Sequence, residues 1–355
     1  MSFKITFIDV ESTGLDKAFS QVISFFGRTV DLLTGKILDE IDESCCINSY
    51  HLPSPEALLI NKYPIENLKK GQKCHEMLHK VHEYIQRNSP QTIVCHNASF
   101  DYAMIHNGYY HHLITPNIYQ FRTDGNNILC TRELARAIAG FSKNKDFVIA
   151  KNSLGHPSFV LGDLCRANGI NIENAHTSEG DTKAMIKIFE LLRKSDIDIF
   201  KQALFCSKKI NAAKFINQNP IFYAALGTHE NFRVRPLTAL AMNHDEVICA
   251  DVISEEFEDV SLLTDSYFNS LLGSDISLHQ PILRLRLNKG ICLMGESYQD
   301  MCEEAMNVDS RSLFKRASEL RRTSILTALA ERNIGNYKDY PRVVPEQRIY
   351  SDGFP

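Results

Sequence analysis

Three features are missing from this sequence, and each absence removes a class of protein. No run of apolar residues approaches the ~20 that a membrane-spanning helix needs, and the opening MSFKITFIDV carries no basic-then-apolar leader. No Cys-x-x-Cys pair occurs either. The ten cysteines are irregularly spaced, with only Cys45 and Cys46 adjacent, which argues against a zinc ribbon or a disulfide framework and suits reduced thiols in the cytoplasm. Positive charge is not in excess, since 39 Lys and Arg face 43 Asp and Glu for a net charge of -4. A polyanionic ligand would therefore have to be met by local fields. Two stretches offer them. The interval between Asp198 and Glu230 has no acidic residue and holds Lys201, Lys208, Lys209 and Lys214, and Arg311 to Arg322 holds five cations against Glu319. A solvated basic helix face explains either stretch equally well.

What is present is ample material for burial. The 355 residues, 44% hydrophobic, exceed what one core usually serves and predict two domains. The first residues alternate as a half-buried strand with Phe3, Ile5 and Phe7 on one parity, and QVISFFGRTVDLLTG predicts a second strand ending on a Thr-Gly turn. HEMLHKVHEYI has helical periodicity, TIVC reads as a buried strand, and ASFDYAMIHNGYY resumes as a helix after Asn97. Further helices are predicted in CTRELARAIAG up to Gly140 and in SFVLGDLCRANG up to Gly169. Another lies in DTKAMIKIFELLRKS, where Ala184, Met185, Ile188 and Leu192 share one side. This alternation predicts an α/β domain over residues 1–198. From residue 199 to 355, strand-like pieces (VICADV, PILRLRLN, ICLMG) and a helical segment from about Ser312 to Ala330 predict a smaller second domain.

Three acidic motifs carry the chemistry. Asp9 and Glu11 lie two apart at the end of the first strand, so both carboxylates project to one side, and hard oxygen donors there suit Mg²⁺ or Mn²⁺. The following Ser12-Thr13-Gly14 lets backbone approach a ligand closely, with hydroxyls at hand to hold a terminal ribose or phosphate. In HNASFD, His96 and Asn97 close the buried strand and Asp101 opens the next helix, at the sheet edge where α/β ligand sites gather. A capping role for Asp101 and a turn role for Asn97 are the plain alternatives. In NAHTSEGDTKAM, His176 sits in a loop five residues before Asp181; Glu179 reads as solvated. Carboxylates holding two metals stabilise the attacking and leaving oxygens of an in-line displacement at phosphorus. Such a reaction needs a group to take a proton from water near neutral pH, which suits His176.

The segments DVESTG, HNASFD and AHTSEGD resemble, in order, the three exonuclease motifs of the DEDDh superfamily. The resemblance implies that Asp9, Glu11 and Asp181 bind the tighter of two Mg²⁺ ions, which Mn²⁺ can replace. It also implies that Asp9 bridges to the second ion, Asp101 completes the carboxylate set through water, and His176 is the general base. Glu11, Ser12, Thr13 and Asn97 are the candidate substrate contacts. PSPEALLINKYPIENLKKG, PSFVLGDLCRANGI, RPLTALAMNHDEVICADV, LRLNKGICLM and QRIYSDGFP further resemble segments of bacterial exodeoxyribonuclease I. That family implies a ribonuclease H-like mixed sheet with flanking helices, then a smaller SH3-like domain, then a C-terminal helical domain. It also implies digestion of single-stranded DNA from the 3′ end to nucleoside 5′-monophosphates in repair or recombination, by a cytoplasmic monomer that a single-stranded DNA-binding protein recruits.

Two departures qualify the resemblance. Val160 stands where the family's PSF-x-L segment carries a substrate-binding arginine, so one phosphate or base contact is expected to be lost or moved. The sequence stops at IYSDGFP, about where the helical domain would begin, which means either a naturally short form or a truncated piece; if that domain is absent, processivity is the property expected to suffer first. Basic residues and aromatics that could either track a single strand or simply pack on the sheet occur at Tyr109, Tyr110, His111, His112, Tyr119, Phe121 and Arg122, and none of them is singled out as a contact. Arg233, Arg235, Arg284, Arg286 and Lys289 are expected to wall the other side. An exoribonuclease is the nearest alternative, because only 2′-OH contacts separate the two substrates. A strand-binding protein without turnover is the alternative from another class.

Overall fold

The computed structural model describes residues 3–49, 51–61, 66, 68–114, 125–144, 146–257, 264–274, 280–287, 290–303 and 305–335. Tyr119, Phe121, Arg122, Lys289 and the terminal IYSDGFP lie outside these residues. The chain divides into two compact units, one built on residues 1–131 and 170–188, the other on 132–169 and 189–337.

The first unit is organised by a five-stranded sheet of order β3-β2-β1-β4-β5. Its strands are β1 (Lys4–Ser12), β2 (Val22–Asp31), β3 (Ile37–Ser44), β4 (Thr92–Cys95) and β5 (Asn127–Cys130). β2 runs antiparallel to β1 and to β3, whereas β4 is parallel to both β1 and β5. This is the expected ribonuclease H-like mixed sheet. The expected half-buried alternation of β1 is not observed, because β1 is the central strand: Ile5, Thr6, Phe7 and Ile8 are all buried. TIVC is likewise buried throughout, because β4 is flanked on both sides by parallel strands, β1 and β5.

Helices α1 (Pro55–Asn61), α2 (Cys74–Asn88) and α3 (Ala98–His111) follow. Met77, Leu78, Val81, Tyr84 and Ile85 of α2 join Met104, Ile105 and Tyr109 of α3 in one core with Ile8, Phe25 and Ile93 of the sheet. Tyr109 is therefore a core residue, with its ring edge-on to His82, rather than a stacking platform.

The second unit holds a short pair, β6 (Ala150–Lys151) with β7 (Pro157–Ser158), and a six-stranded sheet of order β11-β12-β10-β9-β8-β13. The larger sheet consists of β8 (Phe222–Leu226), β9 (Arg233–Met242), β10 (Glu246–Asp251), β11 (Leu272–Ser274), β12 (Ile282–Arg286) and β13 (Leu293–Met294). Two helices that the sequence did not predict, Ile197–Cys206 and Lys209–Gln218, precede it. The predicted terminal helix is two, Ser310–Arg322 and Ser324–Asn333.

Two of the arginines expected to wall a strand are spent inside this unit. Arg235, 2% exposed, donates to Asp251 at 2.7 Å and to the Gln280 carbonyl at 2.7 Å. Arg284 donates to the fully buried Glu246 at 2.9 Å and to the Asn333 carbonyl at 2.7 Å. Each cation offsets a carboxylate that could not be buried alone. Lys209 likewise pairs with Asp245, so the basic stretch before Glu230 is partly neutralised on its own surface.

Candidate active site

The sheet brings the three acidic motifs to one edge. β1 and β4 are parallel, so the end of β1 and the start of α3 meet where both strands present their carboxyl ends. Asp9 and Glu11 lie opposite Phe26 and Ser24 of β2 and share a face of β1. Asp181 comes from the helix Ser178–Ser195, whose first residue is pinned by a hydrogen bond between the Ser178 and Ser24 hydroxyls. Ser24 is also the register partner of Glu11, so this one contact sets the helix start at the level of the β1 carboxylates. Oxygens of Asp9, Glu11 and Asp181 consequently fall within 4.8 Å of one another.

Asp101 is 4% exposed in the first turn of α3 and acts electrostatically on both Asp9 and Glu11. It is not the cap: that position belongs to Asn97, whose carbonyl accepts from the Phe100 N–H at 2.7 Å. The half-buried Asn97 side chain accepts the Ser99 hydroxyl at 3.2 Å.

The loop before Asp181 is shaped by Gly180, where an added Cβ would stand 2.3 Å from the Asn174 carbonyl oxygen and 2.5 Å from that of Glu173. Only glycine lets the loop fold back so closely. His176 follows in that loop with φ +68 and is exposed, and its backbone N–H donates to Asp181 at 3.3 Å. Glu179, one turn before Lys183 on the Ser178–Ser195 helix, forms an ion pair with it.

Burial and like charge make these acids reluctant to ionise. Desolvation, then Asp101, Glu11 and Asp181, hold Asp9 well above the ordinary carboxylate range. Desolvation, then Asp181 and Asp101, push Glu11 up to about 8. Asp181 is raised by burial, against which the hydrogen bond and charge of His176 act. A cation relieves such a cluster, and a set of carboxylate oxygens at this spacing fits a hard divalent ion. Asp9, Glu11 and Asp181 would hold it, with Asp101 alongside.

Ser12 and Thr13 are placed beside the acids, but their hydroxyls are already committed. Ser12 donates to the Gly14 carbonyl at 2.7 Å. Thr13 is bonded to His51 and accepts the Gln21 N–H at 2.8 Å. Sequence reasoning did not single out His51, Ser54 or Asn61, all of which contact this turn. No periodicity or motif marks them, because each is a single polar residue in an irregular stretch or at a helix end.

A family profile described as RNase_T exonuclease matches residues 6–189, which span Asp9, Glu11, Asp101, His176 and Asp181. The chain belongs to this exonuclease family. Among its curated relatives, the exodeoxyribonuclease I of Buchnera aphidicola (subsp. Acyrthosiphon pisum) is 25% identical over 291 residues, which is 80% of this chain and 70% of the relative. The Haemophilus influenzae exodeoxyribonuclease I is 26% identical over 264 residues, 71% of this chain and 55% of the relative. A crystal structure of E. coli exonuclease I with a dT13 oligonucleotide superposes with a TM-score of 0.81 at 20% identity, covering 99% of this chain and 78% of that one. The family's fold, an exonuclease sheet followed by a β domain, is thus the fold of this chain.

Proposed function

We propose that this chain is a 3′→5′ exodeoxyribonuclease that hydrolyses single-stranded DNA to nucleoside 5′-monophosphates. The observation that carries the reading is the convergence of Asp9, Glu11 and Asp181, with Asp101 beside them, at the carboxyl edge of the sheet. Two Mg²⁺ ions, or Mn²⁺ in their place, would supply charge stabilisation for the attacking and leaving oxygens when bound. The chain's own contribution is to hold the four carboxylates of Asp9, Glu11, Asp101 and Asp181 in place and to accept a proton from water at the exposed His176 imidazole. Asn97 and the Ser12–Thr13 turn are the candidate contacts to the strand end, the latter through backbone, since both hydroxyls are committed.

DNA rather than RNA is favoured by the curated relatives named exodeoxyribonuclease I and by the oligonucleotide-bound E. coli enzyme. A solved SSB/exonuclease I complex supports the same kind of partner here. A role in repair, action as a monomer and a cytoplasmic setting belong to the same proposal, the last supported by ten free, buried cysteines. Among the described residues, no helix is long and apolar enough to cross a membrane. The domain boundary at 198/199 is proposed on the change there from strand–helix alternation to strand-like pieces, and it differs from the division of the chain into its two compact units.

The test is a 5′-labelled single strand incubated with Mg²⁺. A descending ladder that EDTA and Asp9→Ala both abolish is expected, and no ladder with either Mg²⁺ or Mn²⁺ would sink the enzyme reading. An oligoribonucleotide of the same sequence run in parallel decides the sugar, and faster decay of the RNA would overturn the substrate assignment.

A further inference from the structure

The turn after Glu11 is bonded to Gln21 and is further held by one segment, residues 51–61. His51 Nε2 lies 2.5 Å from the Thr13 hydroxyl. The Ser54 N–H donates to the Thr13 carbonyl at 2.8 Å, and the Asn61 side-chain amide donates to the Ser12 carbonyl at 3.0 Å. Three hydrogen bonds from residues 51–61 thus converge on two consecutive residues. Thr13 is 1% exposed and Asn61 is 8% exposed, so these bonds are shielded from competing water.

The convergence falls where β1 is weakest. The β1–β2 ladder shifts register between Glu11 and Ser12, and a bulge at a strand end removes regular pairing. Past the shift Thr13 bonds to Gln21 through both its N–H and its hydroxyl, and residues 51–61 add three further anchors against local opening of the strand end that carries Glu11.

Thr13 Oγ1 accepts the Gln21 N–H and keeps its own proton and a second lone pair for His51. Either imidazole tautomer therefore completes the bond between Thr13 Oγ1 and His51 Nε2. Burial holds His51 below its ordinary pKa, in keeping with the neutral form.

We propose that His51 and Asn61 are positioning residues for the exonuclease site: by fixing the Ser12–Thr13 turn they hold the Glu11 carboxylate in register with Asp9 and Asp181. The proposal rests on the reading of Asp9 and Glu11 as metal ligands. Neither residue touches the reacting atoms. Their effect resembles that of outer partners that orient a ligand, whose loss typically lowers metal affinity by roughly 10–100-fold.

His51 borders a cavity of about 260 Å³, so its truncation opens space at a cavity wall rather than in a packed core. The experiment compares wild type, His51→Ala, His51→Gln, Thr13→Val and the His51→Ala/Thr13→Val double variant. Two readouts are used: Mn²⁺ affinity by calorimetry without substrate, and kcat and KM on a single-stranded oligonucleotide. Glutamine can set its Oε1 near the position of Nε2 and accept the Thr13 proton.

We expect His51→Ala to weaken Mn²⁺ binding by about 10-fold or more and to lower kcat, with KM for the strand nearly unchanged. His51→Gln should recover most of both. Thr13→Val should lose at least as much as His51→Ala, because it also removes the acceptor of the Gln21 N–H, and the double variant should be no worse than Thr13→Val alone. Asn61→Ala should fall in the same direction. Wild-type Mn²⁺ affinity in His51→Ala, or additive losses in the double variant, would overturn the proposal. A wild-type protein that binds Mn²⁺ but cuts no strand would instead count against the exonuclease reading, and the affinity series would still decide the role of His51.

Discussion

Replacing Glu11 with glutamine should raise the stability of the metal-free protein at neutral pH and leave it nearly unchanged in acid. In the native state Glu11 is pushed up to about 8 from an ordinary 4.5. A carboxyl with a raised native pKa supports the fold while it is protonated. That contribution is complete below the unfolded-state value and is lost as pH climbs through the native one. Each pH unit within the window is worth about 1.4 kcal/mol, so between pH 5 and pH 7.5 the wild type loses roughly 3 kcal/mol through this one side chain. For a unit of about 150–250 residues, the size of the one that carries Glu11, such a loss lowers Tm by ~6–12 °C.

Glutamine keeps the shape and removes the titration, so the difference in Tm between variant and wild type cancels the pH dependence of groups elsewhere. Calorimetry in EDTA should give a difference near zero at pH 5 and a variant more stable by ~5 °C or more at pH 7.5. Adding Mn²⁺ at pH 7.5 should stabilise the wild type more than the variant, since the ion relieves repulsion in one and lacks a ligand in the other. A difference that stays flat from pH 5 to pH 7.5 would show that the site does not resist the Glu11 charge, and the argument for a cation-requiring cluster would fall with it.

Two further outcomes follow from the loop that carries His176. His176→Ala should lower turnover by roughly 10²–10⁴-fold while binding of a single strand, read by fluorescence anisotropy, persists; unchanged turnover removes the histidine from the proton-accepting role. Gly180→Ala should push the Glu173–Asn174 backbone away from the helix start, costing roughly 1–3 kcal/mol and reducing activity. A wild-type Tm in that variant would mean the loop yields freely and does not depend on glycine for its shape.

The candidate site was legible in the sequence because its acids fall where hydrophobic patterns break, at the end of β1 and in the first turns of α3 and of the Ser178–Ser195 helix. What the sequence hid was pairing. Arg235 and Arg284 read as free surface cations because nothing in the chain order shows that β9 and β12 flank β10, which supplies Asp251 and Glu246. The alternation of β1 looked like a strand with one wet face, and its central place between β2 and β4 is a property of the sheet. The helices Ile197–Cys206 and Lys209–Gln218 were missed because Ile197, Ile199, Phe200, Phe205, Ile210, Phe215 and Ile216 are β-branched or aromatic, and packing overrode that local preference. The brace of His51 and Asn61 left no trace because a single polar residue in a loop or at a helix end has no pattern to betray its partner.

The acidic cluster takes Asp9 and Glu11 from the first strand and Asp181 from a helix that is synthesised only after every strand of the sheet. A chain emerging from the ribosome thus carries its first two acids long before their third partner exists. Until Ser178 docks on Ser24, these carboxylates are ordinary side chains on an unfinished surface. The cluster is complete only once that helix is in place, so on the proposed reading an unfinished chain lacks one of its three clustered acids and is not expected to cut.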